Sequence, residues 1–249
     1  MQLKILFMGD HCSVSAQSYL VKLAKSDDFS IIAGNITLED NSLEAHASAI
    51  SSDSPSYRFE FNEYGSVRTT VCENFTFSKA ADWFDWDYIA IQQAQSLAED
   101  KESYFPHINI INDKIKSLSP RTEIIITEPW AYEQDCLNED FGKYGRDTDE
   151  MTRKIREAMI DVTSQSGIKI VLPLGEAWDK ERKKGICRLT SDDGLHASRC
   201  GDFLSGAVCY EILTGNNIAK NKYRLPFVNA DIAAEIKNTA HEIAEKYRL

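Results

Sequence analysis

The chain has 249 residues, 43% of them hydrophobic and 27% charged, and its 28 Lys and Arg against 39 Asp and Glu leave a formal net charge of −11. That is an ordinary globular balance with enough aromatic residues for a core, and it excludes collagen-like, low-complexity and wholly disordered classes. An acidic surface repels phosphate backbones, and the longest basic cluster, Arg182, Lys183 and Lys184, is too short for a nucleic-acid footprint, so no nucleic-acid partner is expected.

In chain order, residues 3–8 form a short apolar run closed by Gly9, which predicts a first central strand buried on both faces. The run is too short for a signal-peptide core or a membrane span, so a cytoplasmic location without a membrane partner is expected. Apolar residues recur at helical spacing over residues 14–25, with Ser13 at the N-cap position. Further strands are predicted at residues 29–33, 88–91, 123–127 and 168–172. Helices are predicted at residues 42–51, 104–118, 149–166, 175–184, 202–213 and 230–247. This alternation implies a parallel sheet covered on both faces. Residues 57–61 and 67–71 alternate polar and apolar around Tyr64 and Gly65, so an antiparallel β-hairpin is expected between the second and third parallel strands. With no linker or repeat, residues 1–249 are expected to form one domain.

Ligands of such sheets bind beyond the carboxyl ends of the strands, which directs attention to the loops at residues 9–13, 34–40, 92–96, 128–132 and 192–198. Six cysteines, Cys12, Cys72, Cys136, Cys187, Cys200 and Cys209, show no C-x-x-C spacing, so neither a zinc knuckle nor a disulfide scaffold is expected. His107 and His241 suit surface or capping positions.

The first loop reads Gly9, Asp10, His11, Cys12, Ser13 after a buried strand, and a late loop before a helix carries Asp193 and His196 in a D-x-x-H spacing. Together these resemble the SGNH (GDSL-like) hydrolases. The run from Trp86 through Gln92 and Gln93, the Trp130 to Tyr132 segment, the Ser42 to His46 segment and the closing Tyr210 to Gly215 are similar to a bacterial branch of that superfamily first catalogued as a domain of unknown function. The resemblance covers about residues 3–215. It implies a flavodoxin-like three-layer α/β/α sandwich with a five-stranded parallel sheet in the order 2-1-3-4-5. It also implies ester hydrolysis, with His196 as general base and Asp193 as its orienting carboxylate, because a hydroxyl is a poor nucleophile until an imidazole takes its proton.

Three departures from the family pattern follow. The serine position is occupied by His11. The second block has Glu39, Asp40 and Asn41 where the family brings an oxyanion-hole glycine, and Gly34 lies several residues early. The third block lacks the usual asparagine, leaving Gln92 or Gln93 as the side-chain donor beside backbone N–H groups of the Gly9 and Asp10 loop. The candidate nucleophiles are therefore His11 itself, Cys12, whose alternative role is a packed thiol, and Ser13, whose alternative role is the helix cap. His46 matches a family position beside the site, and Trp130 and Tyr132 are either core residues or a carbohydrate-facing platform.

Three functions remain open. The first is an esterase acting on a small-molecule or carbohydrate ester without a cofactor. The second is a catalytically inactive binding protein on the same scaffold, and the third is metal-assisted hydrolysis in which His11, His196 and Asp193 join Asp40 or His46. No metal-ligand spacing supports the third.

Overall fold

Seven strands form one mixed sheet in the computed structural model, which describes residues 2–62 and 69–247. The core strand β1 (Gln2–Met8) pairs in parallel with β2 (Ser30–Thr37) on one side and β5 (Tyr88–Ile91) on the other. Beyond β5 come β6 (Glu123–Glu128) and β7 (Ile170–Pro173), both parallel. These five strands run in the predicted order, second, first, third, fourth, fifth.

The hairpin strands β3 (Tyr57–Asn62) and β4 (Thr69–Phe75) add to that sheet instead of standing apart from it. β3 pairs antiparallel with β2 and β4 with β3, giving the order β4-β3-β2-β1-β5-β6-β7. The five-stranded parallel sheet is thus one end of a seven-stranded one, extended past β2 by the hairpin. The expected turn at Tyr64 and Gly65 lies outside the described residues.

Helices cover both faces. One layer holds α1 (His11–Ser18), α2 (Leu20–Ser26), α7 (Leu174–Lys184), α8 (Arg199–Thr214) and α9 (Ala230–Ala244), packed on Leu3, Ile5 and Phe7 of β1. The other holds α3 (Leu43–Ser52), α4 (Phe77–Asp82), α5 (His107–Leu118) and α6 (Thr148–Ser166), packed on Leu6 and Met8. The period-two alternation of a strand divides β1 between two cores, which is why its sequence is apolar throughout. No helix among the described residues is long and apolar enough to cross a membrane.

The first helix differs from its sequence reading in two ways. Its cap is Asp10, not Ser13: the Asp10 carboxylate accepts from the Cys12 N–H at 2.8 Å, so the helix starts at His11. It also breaks at Tyr19, whose ring packs edge-on against Phe203 at 5.5 Å and whose backbone lies against Gly206 of α8. A helical period cannot reveal a break that another helix imposes.

His46 belongs to this framework as a core residue of α3. It is fully buried, its ring stacks on Tyr57 at 5.6 Å, and its Nδ1 lies 3.2 Å from the Tyr57 hydroxyl. Burial lowers its pKa to about 4, against a smaller opposing pull from the Asp40 and Asp10 charges.

Two predictions follow from this packing. A Cβ at Gly34 in β2 would meet the Trp86 ring at 2.8 Å and Leu6 at 3.1 Å, so Gly34→Ala is expected to cost roughly 1–3 kcal/mol in urea unfolding. For His46, the folded pKa of about 4 lies below the ordinary value of 6.5, so its contribution to stability is complete above 6.5 and is lost as pH falls towards 4. The difference corresponds to about 3 kcal/mol. His46→Gln should therefore show a flatter fall in urea midpoint between about pH 7 and pH 4 than the native chain, and equal slopes would contradict it.

Candidate active site

The carboxyl ends of β1 and β5 are held together by one side chain. Asp10 Oδ1 accepts from the Cys12 N–H and from Gln92 Nε2 at 2.6 Å, and its Oδ2 accepts from the Gln95 N–H at 2.9 Å. Gly9 permits the approach, since a Cβ there would lie 2.8 Å from Gln92 Cβ. Ser13, 1% exposed, donates to the Asp10 carbonyl at 2.7 Å and shares a hydrogen bond with buried Asn35 of β2. The loop that presents His11 is thereby fixed to three strands.

The late loop meets it. Asp193 Oδ1 accepts from the N–H groups of Leu195 and His196 at 2.9 and 3.0 Å, and its Oδ2 lies 2.6 Å from His196 Nδ1. Burial works to raise the Asp193 pKa, but these bonds to His196 and the two backbone N–H groups outweigh it and bring the carboxyl down to about 2. It is a carboxylate throughout the neutral range, and holding Nδ1 leaves Nε2 of His196 as the nitrogen free for proton transfer. The His196 and Asp193 side chains are 55% and 48% exposed.

The His11 and His196 ring centroids are 4.6 Å apart. His11 also packs edge-on against Trp130 at 5.8 Å, and its Nδ1 lies 3.9 Å from Asp10 Oδ1. Its Nε2 is buried and has no hydrogen-bond partner. Burial lowers the pKa of His11, the neighbouring His196 adds to the lowering, and Asp10, Gln95 and Asp193 pull the other way. The net result is a ring that favours its neutral form.

Trp130 carries the late loop. Its indole N–H donates to the Leu195 carbonyl at 3.1 Å, while its ring stacks on Trp178 of α7 at 3.9 Å with planes 3° apart. Trp130 and Tyr132 are each 1% exposed, so neither ring offers the open face of a sugar-stacking platform. Of the two readings for this pair, the core one describes where they sit.

The remaining expected residues are placed as follows. Cys12 is fully buried, and burial together with Asp10 pushes its thiol well above the usual range, the reverse of an activated nucleophile. Gln92 Nε2 spends its donors on Asp10 and on the Gln93 carbonyl. Gln93 Nε2 donates to the carbonyl and hydroxyl of Ser103, and its Oε1 accepts from the N–H groups of Leu43 and Ala94. Both amides are occupied, so neither is an unengaged oxyanion donor. Asp40 is exposed and accepts from the Ser42 N–H at 2.9 Å, and His46 is held by Tyr57. Neither falls in a metal-ligating cluster with His11.

Among the described residues, the cluster at this loop whose ligand atoms lie within 4.8 Å of one another is Asp10, His11 and Cys12. A cation there would have to displace the N–H groups on Asp10 and ionise a buried thiol. The donor set fits a metal poorly.

Sequence reasoning missed Gln95 and Asn35. Gln95 is 2% exposed and donates to the Trp130 carbonyl at 2.8 Å, joining the His11 loop to the Trp130 segment. Its position in the expected ligand-bearing loop at residues 92–96 was the available signal. For Asn35 the signal was its place in the expected ligand-bearing loop at residues 34–40, although the second strand in fact continues through it to Thr37.

Solved structures reproduce this fold. A DUF4886 family protein from Bacteroides uniformis superposes with a TM-score of 0.93 at 26% identity, covering 97% of this chain and 94% of that one. A putative SGNH hydrolase from Slackia heliotrinireducens superposes at 0.58 with 17% identity, covering 85% and 98%. A mutant of Axe2, an acetylxylan esterase from Geobacillus stearothermophilus, superposes at 0.50 with 13% identity, covering 84% and 92%. No curated protein matches the chain in sequence. The SGNH and esterase likenesses show a shared fold. Residues 4–243 match the family described as domain of unknown function DUF4886, and the chain belongs to it.

Proposed function

We propose that this protein hydrolyses acyl esters, with carbohydrate esters as the substrate class, and that His196 held by Asp193 activates the attacking water. The observation that carries this reading is the solvent-exposed Asp193–His196 pair, with its 2.6 Å contact, beside the N-terminus of α1. The esterase likeness is one of fold, and it supports the reaction class only together with that pair.

Water is the nucleophile because the side chains at the family's serine position are covered. Cys12 and Ser13 are buried, and His11 Nε2 is closed off from solvent. In the proposed step His196 Nε2 removes a proton from water while the hydroxide oxygen adds to the ester carbonyl. The tetrahedral intermediate then collapses, and the departing alkoxide takes that proton back from His196, leaving acid and alcohol. The first N–H of α1, on His11, has no partner within the helix, and it lies where the helix dipole favours negative charge. That group takes the place of the occupied Gln92 and Gln93 amides towards the developing oxyanion. Neutral His11 packs against the His196 ring and orients it. An exposed pair suits an acyl group that projects from a larger molecule such as an acetylated glycan.

A second reading, a binding protein that keeps only the scaffold, is favoured by the engaged amides of Gln92 and Gln93.

The test is turnover of p-nitrophenyl acetate and acetylated xylo-oligosaccharides. The native chain is expected to release acetate with no acetyl adduct in intact-mass spectra, His196→Ala should fall to background, and Asp193→Asn should lose roughly 10³-fold or more. Turnover by His196→Ala equal to that of the native chain would remove the esterase reading. An inactive native chain whose His11→Ser variant gains activity would establish the binding reading instead.

A further inference from the structure

The segment bearing Asp193 and His196 has an antiparallel register of its own. Ser198 N–H donates to the Leu189 carbonyl at 2.7 Å, Thr190 and Ala197 form a bridge, and Ser191 N–H donates to the His196 carbonyl at 2.8 Å. Each step away from the tip pairs a residue one earlier with a residue one later. Beyond Ser198 this side turns into α8, so the ladder ends there, and Cys187 and Cys200 stand just past its base, one in the chain before the loop and one in the first turn of the helix. The Ser198 hydroxyl holds the two sides together there, donating to the Arg188 carbonyl at 2.9 Å.

The two thiols interact directly, each being the largest influence on the other's acidity. Cys200 is the more acidic partner. Its contact with Cys187 and the Arg199 charge lower it against the opposing effect of burial, while Cys187 is pushed up. Cys200 also lies in the first turn of α8, with its N–H on the Ser198 cap at 3.2 Å, where the helix dipole favours a thiolate. Both side chains are half-buried, and Cys187 lines an open groove of about 600 Å³ with Ile186 and Arg188. Cys12, Cys136 and Cys209 are buried by comparison.

We propose that Cys187 and Cys200 form a redox modification site that reacts with a low-molecular-weight disulfide such as oxidised glutathione and closes into an intramolecular disulfide at the base of the loop carrying Asp193 and His196. The Ser198 hydroxyl, bonded to both the Arg188 carbonyl and the Cys200 N–H, holds the two segments side by side, and a disulfide spans Cα atoms about 4.4–6.8 Å apart. The Cys200 thiolate attacks one sulfur of the small disulfide, forming a mixed disulfide and releasing one thiolate. Cys187, deprotonated as that thiolate is protonated, then attacks Cys200 Sγ and expels the second small thiol. Two protein thiols and one disulfide become one protein disulfide and two small thiols. The bond would clamp the loop whether or not the chain is an esterase, so this inference stands apart from the proposed activity.

The full chain is tested in glutathione redox buffers by thiol counting, peptide mapping and thermal melting. Oxidation should remove two free thiols, link the peptide containing Cys187 to the one containing Cys200, and raise the Tm by roughly 5 °C or more, all reversed by dithiothreitol. Cys187→Ser should stop at a glutathione adduct on Cys200, and Cys200→Ser should give no intramolecular bond. Both thiols remaining free in the native chain under fully oxidising conditions, a stable mixed adduct there, or linkage to another cysteine would each overturn the proposal.

Discussion

One carboxylate organises the edge of the sheet that matters. Asp10 caps α1 and at the same time receives Gln92 and the Gln95 N–H from the loop after β5. From β1 the chain order runs to β2 on one side and to β5 on the other, so Asp10 stands at the switch point where crevices form in open α/β sheets. A charged side chain is tolerated there because each of its oxygens accepts hydrogen bonds, which is the condition for holding a charge away from water. The close approach of the two loops needs Gly9, and Asn35 ties the same helix turn to β2 through Ser13.

A second support reaches the site from the opposite direction. The stacked pair Trp130 and Trp178 fixes the end of β6 against α7, and the Trp130 indole N–H holds the Leu195 carbonyl one residue before His196. Gln95 closes the circuit by donating to the Trp130 carbonyl. His196 itself stays open to solvent, yet its position is determined by groups that are not.

The three histidines near this edge illustrate how surroundings decide chemistry. His46 is sealed among core side chains and resists protonation, and its role is packing. His11 is largely covered and favours the neutral form, with Asp10 near one nitrogen and nothing bonded to the other. His196 is exposed and backed by a fixed carboxylate. Equal as letters, they differ in solvation and in partner, and those two variables separate an exposed, carboxylate-backed imidazole from a core residue.

Local periodicity and the rule that loops gather at the carboxyl ends of strands made the parallel alternation and the candidate loops legible, while the strand order and the meeting of the D-x-x-H loop with His11 were legible through the family resemblance those loops carry. The seven-strand extent of the sheet was only half legible: alternation announced a hairpin, but pairing of β3 with β2 is a choice of edge that no local pattern encodes. By itself, the sequence determined the α/β class, the alternation of elements, and which residue types stand at each loop. Only the tertiary structure decided that Asp10 and not Ser13 caps the first helix, that the amides of Gln92 and Gln93 are engaged, that Trp130 and Tyr132 are covered, and that Cys187 faces Cys200. The cap is itself a local bond, but Gln92 and the Gln95 N–H hold the Asp10 carboxylate in place, and the other features likewise depend on contacts between separate segments, which exist only once the sheet has brought them together.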